Sequence, residues 1–333
     1  MASVITGTGR YVPQRCVTNE ELAAQIGGDA AWIEQRTGIR QRHFAADDES
    51  ASALGVHAAR AALDDAGLEP QALDAIIFAT LSADMAFPGC GVFVQRELGV
   101  APIPALDVRN QCSGYLYALS VAHAWIIAGM YERILVIGSE VHSAGLDFSE
   151  AGRTITALFG DGAAAAIVER RDDAPDQPRG VLDIRLGADG SGAEHLWSKY
   201  PGSNWRPHVS ADRLAEGLQY PTMNGRSVYR HAVTTLVREV GELFERHDLH
   251  GRDDVLLVPH QANQLINEHV ARELHIPESQ VVHTIDRFGN TTAASIPMAL
   301  DVARREGRLT PGMLVVHAAF GSGFTWGTAL VGF

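Results

Sequence analysis

Short apolar runs rich in Val, Ile and Ala alternate along the chain with longer segments whose apolar residues recur every three or four positions. The runs have the length and composition of buried strands, and the longer segments have the spacing of amphipathic helices. The predicted strands are 75–80, 133–137, 163–168, 255–258 and 314–317, and the clearest predicted helices are 52–66 and 227–246. This alternation predicts an α/β fold around a largely buried central sheet.

The longest apolar segment extends from Leu116 to Met130 and is interrupted by Ser120 and His123. It is too short and too polar for a membrane span, so we expect a buried helix that begins at Gly114. The N-terminus carries no basic stretch followed by an apolar one, so we expect no signal peptide.

A faint internal repeat divides the sequence. The tetrapeptide FGDG at 159–162 and FGSG at 320–323 each precede a mostly apolar run, about half a chain length apart. A helical pattern followed by a strand pattern also occurs in both halves. Duplication of one α/β unit explains this, although two short matches can arise by chance.

The repeat predicts two halves, 1–171 and 180–333. Residues 172–179 are rich in Asp and Pro and are predicted to form a linker. Residues 192–218 are polar and unpatterned, and we expect a long surface loop there.

Composition disfavours several classes of protein function. A formal net charge of -13 disfavours general binding to nucleic acid, although a local basic patch is compatible with it. The three cysteines (Cys16, Cys90 and Cys112) have no CxxC spacing, and the fourteen histidines show no metal-ligand spacing. We therefore expect a cytoplasmic protein without a disulfide framework, a metal site or a membrane span.

Cys112 is the first candidate for chemistry. It follows a predicted strand and turn and precedes the helix that begins at Gly114. The N–H groups and dipole of a helix N-terminus favour a thiolate, which predicts a lowered pKa and a nucleophile. The alternative is a small core residue, which is the more common role of a lone cysteine.

His260 and Asn290 are two further candidates. His260 directly follows a strand, at the sheet end where α/β proteins bind ligands, and Pro259 fixes the backbone before it. Asn290 follows a glycine and precedes a helix of small residues, where an Asn can cap the helix or donate to an oxyanion. The turn at 319–324 (AFGSGF) can point backbone N–H groups at a ligand. Taken singly, His260 can equally be a structural histidine.

Taken together, these motifs resemble those of the β-ketoacyl-acyl-carrier-protein synthase III family of the thiolase superfamily. The motifs that carry the resemblance are QCSG, PHQAN, GNTTAASIP and AFGSGFTWG, together with GTGRYVP and WIEQRTGIRQRH near the start. Thiolases use a second cysteine near the C-terminus, elongating synthases use a second histidine, and chalcone synthases are longer. The type III synthase is the best match, and it implies a thiolase-like fold of two duplicated α/β halves in five layers, αβαβα.

The resemblance implies an activity. Cys112 would take an acyl group from coenzyme A as a thioester, and malonyl-acyl-carrier protein would lose carbon dioxide and attack it. The backbone N–H groups of Cys112 and Ser322 would form the oxyanion hole. His260 and Asn290 would donate hydrogen bonds to the malonyl thioester oxygen. No permanently bound cofactor is expected, because the thioester supplies the activation and acyl-coenzyme A is a substrate.

The resemblance also implies binding residues for coenzyme A. Trp32 and Arg36 would contact its adenine end, with Arg153, Gly225 and Asn263 along the route. Flat Trp and Arg side chains stack well on adenine. For Arg36 and Arg153, an ordinary surface charge is the alternative.

The partners follow from the same resemblance. Phe87 matches the residue that reaches across a dimer interface to limit the acyl pocket, which predicts a homodimer. Arg230 and Arg238 lie off the apolar stripe of helix 227–246, and a basic patch there would suit an acidic carrier protein. A solvated helix face explains the two arginines equally well.

Three departures from the family pattern leave the primer open. Gln111 replaces a small residue before the cysteine, Leu265 stands near an expected arginine that Arg246 could replace, and the loop near 193–213 is longer. A specialised relative that uses another starter unit, or an oxygen or nitrogen acceptor, is therefore the alternative function. A non-catalytic protein that only binds acyl-coenzyme A is a third hypothesis.

Overall fold

The first half of the chain folds around a five-stranded mixed sheet. The structure is a computed structural model that describes residues 1–172 and 179–333. Its elements in this half are β1 (Ala2–Tyr11), β2 (Arg15–Thr18), α1 (Asn19–Ile26), α2 (Ala30–Thr37), β3 (Gln41–Phe44), α3 (Ala51–Ala66), β4 (Ala75–Ala79), α4 (Cys90–Leu98), β5 (Ala105–Val108), α5 (Gly114–Ile127), β6 (Arg133–Glu140), α6 (Arg153–Thr156) and β7 (Gly162–Arg171). The strand order is β1-β7-β6-β4-β5, so β5 forms an edge.

The second half forms a four-stranded sheet in the order β11-β12-β13-β8. Its elements are β8 (Gly180–Ala188), β9 (Leu196–Trp197), α7 (Ala211–Ala215), β10 (Thr222–Met223), α8 (Gly225–Arg246), β11 (Val255–Pro259), α9 (Gln264–Glu273), α10 (Ile285–Phe288), α11 (Ser295–Arg305), β12 (Leu314–Gly321) and β13 (Thr325–Gly332). Strand β11 runs parallel to β12, and the other neighbours run antiparallel. β11 and β12 therefore end at the same edge of this sheet.

The helices and sheets stack in five layers. Helices α5 and α11 pack between the two sheets, and one apolar cluster joins them to both. A second cluster covers the outer face of the first sheet with α3 and α4, and a third covers the second sheet with α8 and α9. Along β4, Ile77 faces the middle layer whereas Ile76 and Phe78 face α3, because successive side chains of a strand point to opposite faces. The predicted layered αβαβα fold is confirmed.

The predicted strands and helices are present, with longer bounds for several of them. The linker prediction falls mainly on residues 173–178, which lie outside the described residues. The half boundaries 1–171 and 180–333 stay a prediction. Within the described part of the chain, no helix is both long enough and apolar enough to cross a membrane.

The expected long loop at 192–218 is wrong in part. Strand β9 pairs with β10, and helix α7 lies between them. Tyr200 is buried and packs edge-on against Trp205, with ring centroids 6.0 Å apart. Local aromatic packing therefore orders a segment whose polar composition predicted a loop.

Candidate active site

Cys112 lies in a single turn of 3₁₀ helix, Gln111–Ser113, between β5 and α5. The backbone N–H groups of Ser322 and of Cys112 itself lie close enough to its sulfur to lower the pKa of the thiol. Gly321, at the end of β12, permits this approach, because a Cβ there would lie 2.6 Å from the Cys112 Cβ. Gln111 has a φ of 43°, an uncommon left-handed conformation for a residue other than glycine. The turn after β12 thus places the Ser322 amide beside a buried sulfur of the first half.

The thiol is not activated in the way its position at a helix start predicts. Burial raises the pKa of Cys112 to about 12, and the charge of Glu140 acts in the same direction. The two amides lower the pKa but do not outweigh burial. The pKa lowering expected from the helix N-terminus is therefore wrong for this buried site, and the resting Cys112 side chain is a neutral thiol.

His260 is buried directly after β11, and a hydrogen-bond network sets its tautomer. The Ser295 hydroxyl donates to the Thr292 carbonyl at 2.9 Å and accepts the Gln261 N–H at 3.3 Å. With its one proton used, Ser295 accepts from Nδ1 of His260 at 2.6 Å. The Nε2 atom therefore carries a lone pair, and it is buried without a partner among the described residues. Burial lowers the pKa of His260 to about 3, which keeps the ring neutral.

Asn290 is held by its backbone and by one side of its amide. Its N–H donates to the Leu158 carbonyl at 2.9 Å, and its carbonyl accepts from Gly160 at 3.1 Å. Its Oδ1 accepts the N–H of Thr292 at 2.9 Å. This bond closes a turn just before the next helix, whose N-cap residue is Thr291 and not Asn290. Nδ2 makes no hydrogen bond within the described part of the chain, so this donor stays available for the predicted oxyanion role.

Two buried residues of the site escaped the sequence analysis. Glu140 ends β6 and accepts hydrogen bonds from Thr80, Leu81 and Ser82. Burial nevertheless raises its pKa to about 7. Neither Glu140 nor His142, the second missed residue, belongs to a motif. The signal available in the sequence was their position at or just after the end of a strand, where α/β proteins place their sites.

The second missed residue is His142. Its Nε2 lies 2.5 Å from the Thr292 hydroxyl, and its ring packs on Phe159 with centroids 4.5 Å apart. Burial lowers its pKa to about 3, and the charge of a protonated His260 contributes to that lowering. A second imidazole therefore lies close to the predicted catalytic one.

The residues predicted to bind coenzyme A converge for the most part. The guanidinium groups of Arg36 and Arg153 each lie 5.7 Å from the Trp32 ring. The side chain of Asn263 donates to the backbone carbonyl of Arg36 at 2.9 Å. Gly225 is the first residue of α8, and no contact of the described residues links it to this group.

The residues predicted to meet partners are exposed. The Phe87 side chain is 84% exposed on the segment between β4 and α4. Arg230 is exposed and forms no ion pair within the described residues, and the exposed Arg226 lies one turn before it on α8. Arg238, in contrast, is paired with Glu239 at 2.7 Å and lies over the Trp326 ring. The predicted patch therefore contains one free and one neutralised arginine, and Arg226 was missed.

Known proteins resemble this chain over its whole length. Residues 106–190 match the family profile described as 3-oxoacyl-[acyl-carrier-protein] synthase III, and residues 244–333 match that of its C-terminal part. The β-ketoacyl-[acyl-carrier-protein] synthase III of Bradyrhizobium sp. BTAi1 is 43% identical, over 99% of this chain and 98% of its own.

Two solved structures show the same similarity. That of 3-oxoacyl-(acyl carrier protein) synthase III from Pseudomonas aeruginosa PAO1 superposes with a TM-score of 0.89 at 36% identity, covering 100% of this chain and 98% of that one. The priming β-ketosynthase of the R1128 polyketide pathway has a TM-score of 0.87 at 32% identity, covering 99% and 96%.

Proposed function

The chain belongs to the 3-oxoacyl-[acyl-carrier-protein] synthase III family, and we propose on this premise that Cys112, His260 and Asn290 are its catalytic residues. The protein is a condensing acyltransferase that initiates fatty-acid-type biosynthesis. The single observation that carries our assignment of residues is the buried Cys112 thiol held by two backbone amides. Acyl-coenzyme A is the proposed donor and malonyl-acyl-carrier protein the proposed acceptor.

In the first half-reaction, the acyl group moves to Cys112. Nε2 of His260 accepts the thiol proton as the sulfur attacks the acyl carbonyl carbon, and the carbonyl oxygen becomes negative between the amides of Cys112 and Ser322. The C–S bond to coenzyme A then breaks, and its sulfur takes the proton from His260. The tautomer set by Ser295 supports this step, because it leaves Nε2 free to act as a base.

In the second half-reaction, the malonyl group brings a carboxylate into a site whose imidazole is neutral. Its negative charge favours protonation of His260 from solvent, so that Nε2 can donate together with Nδ2 of Asn290 to the thioester oxygen. Loss of carbon dioxide leaves an enolate at that oxygen. Its carbon attacks the acyl thioester, and the departing Cys112 sulfur takes the proton back from His260, which restores the resting state.

The entrance for coenzyme A is proposed at Trp32, between Arg36 and Arg153. Two guanidinium groups over one indole make a flat, positively charged surface that suits an adenine ring and its phosphates. Asn263 supports it through the Arg36 backbone. Gly225, at the start of α8, is assigned to the coenzyme A route on the family resemblance alone.

We propose a homodimer in which Phe87 enters the acyl pocket of a second copy. A phenyl group that is 84% exposed is unfavourable in water, and Met85 beside it is 49% exposed. Strand β5 also presents a sheet edge that has no partner within the described residues. Edges of this kind are commonly covered, and a second β5 would cover this one.

The carrier protein is proposed to dock at Arg226 and Arg230, which form no ion pair with any described residue, rather than at Arg238, which is paired with Glu239. Three free cysteines are compatible with the cytoplasm as the location. No resident cofactor is required for either half-reaction.

Intact-protein mass spectrometry with a panel of acyl-coenzyme A species tests the proposal. The chain should gain one acyl mass, and Cys112→Ala should gain none. Release of labelled carbon dioxide from malonyl-acyl-carrier protein by the acylated enzyme then distinguishes condensation from transfer to an oxygen or nitrogen nucleophile. Loading of the alanine variant at the same rate would contradict the assignment of Cys112.

A further inference from the structure

Two histidines and a phenylalanine form a ring cluster outside the catalytic residues. His195 stacks on Phe324 with centroids 5.8 Å apart and an interplanar angle of 14°. His231 lies 5.9 Å from His195 and 5.1 Å from Phe324. None of the family motifs includes His195 or His231.

This cluster is fixed to the turn that carries the oxyanion hole. Phe324 lies two residues after Ser322, whose N–H lies beside the Cys112 thiol. The Ser322 hydroxyl donates to the carbonyl of Leu196, the residue after His195. Asp189 and Phe324 exchange two backbone hydrogen bonds, at 2.8 and 2.7 Å. The backbone next to His195 and the ring of Phe324 are therefore joined to the turn that carries Ser322.

Both imidazoles have nitrogen atoms available to a ligand. Nδ1 of His231 donates to the Ser227 carbonyl at 2.8 Å, which leaves Nε2 as an acceptor. The His195 side chain makes no hydrogen bond among residues 1–172 and 179–333. Both histidines are half-buried. The cluster is thus a half-buried surface whose ring nitrogens include some that bond no described residue.

We infer that His195 and His231 bind the far end of the primer acyl group, and that this primer carries an oxygen there, as a hydroxyl or a carboxylate. The inference rests on the proposed acylation of Cys112. A hydrocarbon chain would remove water from these nitrogens without replacing its hydrogen bonds, whereas a terminal oxygen would replace them. A site with buried polar groups selects strongly against a substrate that leaves them unpaired.

Matched primers test this assignment on the full-length protein. Succinyl-coenzyme A is compared with 4-methylpentanoyl-coenzyme A, and 4-hydroxybutyryl- with pentanoyl-coenzyme A, by the rate of Cys112 acylation. Each pair has similar shape and differs in the terminal oxygen. The wild type should load at least one oxygen-bearing primer about 10-fold faster than its apolar match.

The variants His231→Asn and His195→Leu separate the role of the nitrogens from folding. The Asn amide can still donate to the Ser227 carbonyl, as Nδ1 of His231 does, but it has no atom in the position of Nε2. The preference for the oxygen-bearing primer should therefore fall to about 2-fold or less. His250→Leu is the control, since His250 packs on Phe244, 5.3 Å away, outside this cluster. Acetyl-coenzyme A loading should be unchanged in His250→Leu.

Three outcomes are informative. If no primer loads the wild type, the proposed function fails before the primer question arises. If apolar primers load as fast as their oxygen-bearing matches, the inference about the primer is overturned. If the preference exists but survives in both cluster variants, other residues recognise the oxygen and the assignment to His195 and His231 is overturned.

Discussion

At the scale of single residues, the site combines a neutral thiol with a neutral imidazole, and both states follow from burial. The pKa of Cys112 is raised to about 12 and that of His260 is lowered to about 3. Such a pair does not need to exist as an ion pair before substrate arrives. In the proposed mechanism, proton transfer between them is instead coupled to attack on the thioester, where the new negative charge moves onto an oxygen that two amides already face.

Ser295 positions His260, and its loss should slow acylation. Ser295→Ala removes the acceptor of Nδ1–H, so the ring loses both its tautomer preference and its orientation. We expect the rate of Cys112 acylation to fall about 10-fold, part of the contribution of a general base. Ser295→Thr keeps the hydroxyl and should restore most of the rate. Ser139→Ala, which removes a buried hydroxyl bonded to the Ala51 carbonyl, should leave the rate unchanged.

Asn290 should matter for one half-reaction only. Asn290→Asp keeps the oxygen that accepts the Thr292 N–H but replaces the free amide donor with a carboxylate oxygen. We expect condensation to fall about 10²–10³-fold, as for the loss of an oxyanion donor. Acylation of Cys112, measured separately by mass, should change little. An equal loss in both half-reactions would show that the substitution has disturbed the whole site; Asn19→Asp is the folding control for a buried Asn.

At the scale of elements, local sequence motifs are enough to predict which residues are candidates for the site when those residues lie within a motif. Cys112, His260 and Asn290 each follow a strand or turn that their neighbours predict. Glu140 and His142 could not be found in that way, because their importance comes from β6 ending beside two other segments. The same holds for strand bounds: β6 was predicted to end at 137, but pairing with β7 extends it to Glu140.

The wrong pKa prediction for Cys112 has a similar cause. The helix dipole is a local property, which a sequence shows, and it is worth about 1 kcal/mol or less at a typical site. Desolvation depends on what β12 and the 292–294 turn place over the thiol, and it can shift a pKa by several units. Burial in the folded protein, rather than the helix dipole, therefore decides that the Cys112 thiol is protonated.

Helix α11 is joined to β1 by a buried carboxylate. Asp301 has no exposed surface and accepts hydrogen bonds from Thr8 at 2.9 Å and Arg305 at 3.0 Å, and it pairs with Arg10. Asp301→Ala should lower the free energy of unfolding by about 1–3 kcal/mol, because buried donors lose their acceptor.

The two arginines bonded to Asp301 are partly exposed and can turn to water, which keeps this loss moderate. Denaturant titration measures it. Asp212→Ala on the exposed helix α7 is the control and should change stability by less than about 0.5 kcal/mol. An equal effect of both substitutions would exclude a special role for the buried carboxylate.

At the scale of the whole molecule, buried histidines should make the fold sensitive to acid. The pKa values of His142 and His260 are lowered to about 3 and that of His317 to about 4, chiefly by burial. Below pH 6.5 the histidines of the unfolded chain bind protons, whereas the buried rings of the native protein stay neutral. The free energy of unfolding therefore falls as the pH is lowered. Between pH 6.5 and 5 the loss is roughly 2 kcal/mol per histidine.

Glu140 acts in the opposite direction over the same range. Its pKa is raised to about 7, so on acidification the native carboxyl binds a proton before the unfolded one does. This gain in stability offsets the loss that about one histidine causes. Denaturant unfolding at pH 7.5 and pH 5 should therefore show a net loss of stability. His317→Leu should reduce that loss, and an unchanged difference would mean that His317 does not resist protonation.

The segment around β9 touches the catalytic turn through a few bonds and otherwise packs on itself, with β9 paired to β10 and Tyr200 packed against Trp205. Natural selection can therefore alter the side chains of this segment with little risk to Cys112, His260 or Asn290, as long as the bond from Ser322 to the Leu196 carbonyl is kept. After gene duplication, one copy could drift towards a new starter unit through changes near His195 alone, while inheriting an intact chemical centre. Lineages of such enzymes should then diversify fastest here, and exchanging this segment between them is a direct route to redesigned acyl products.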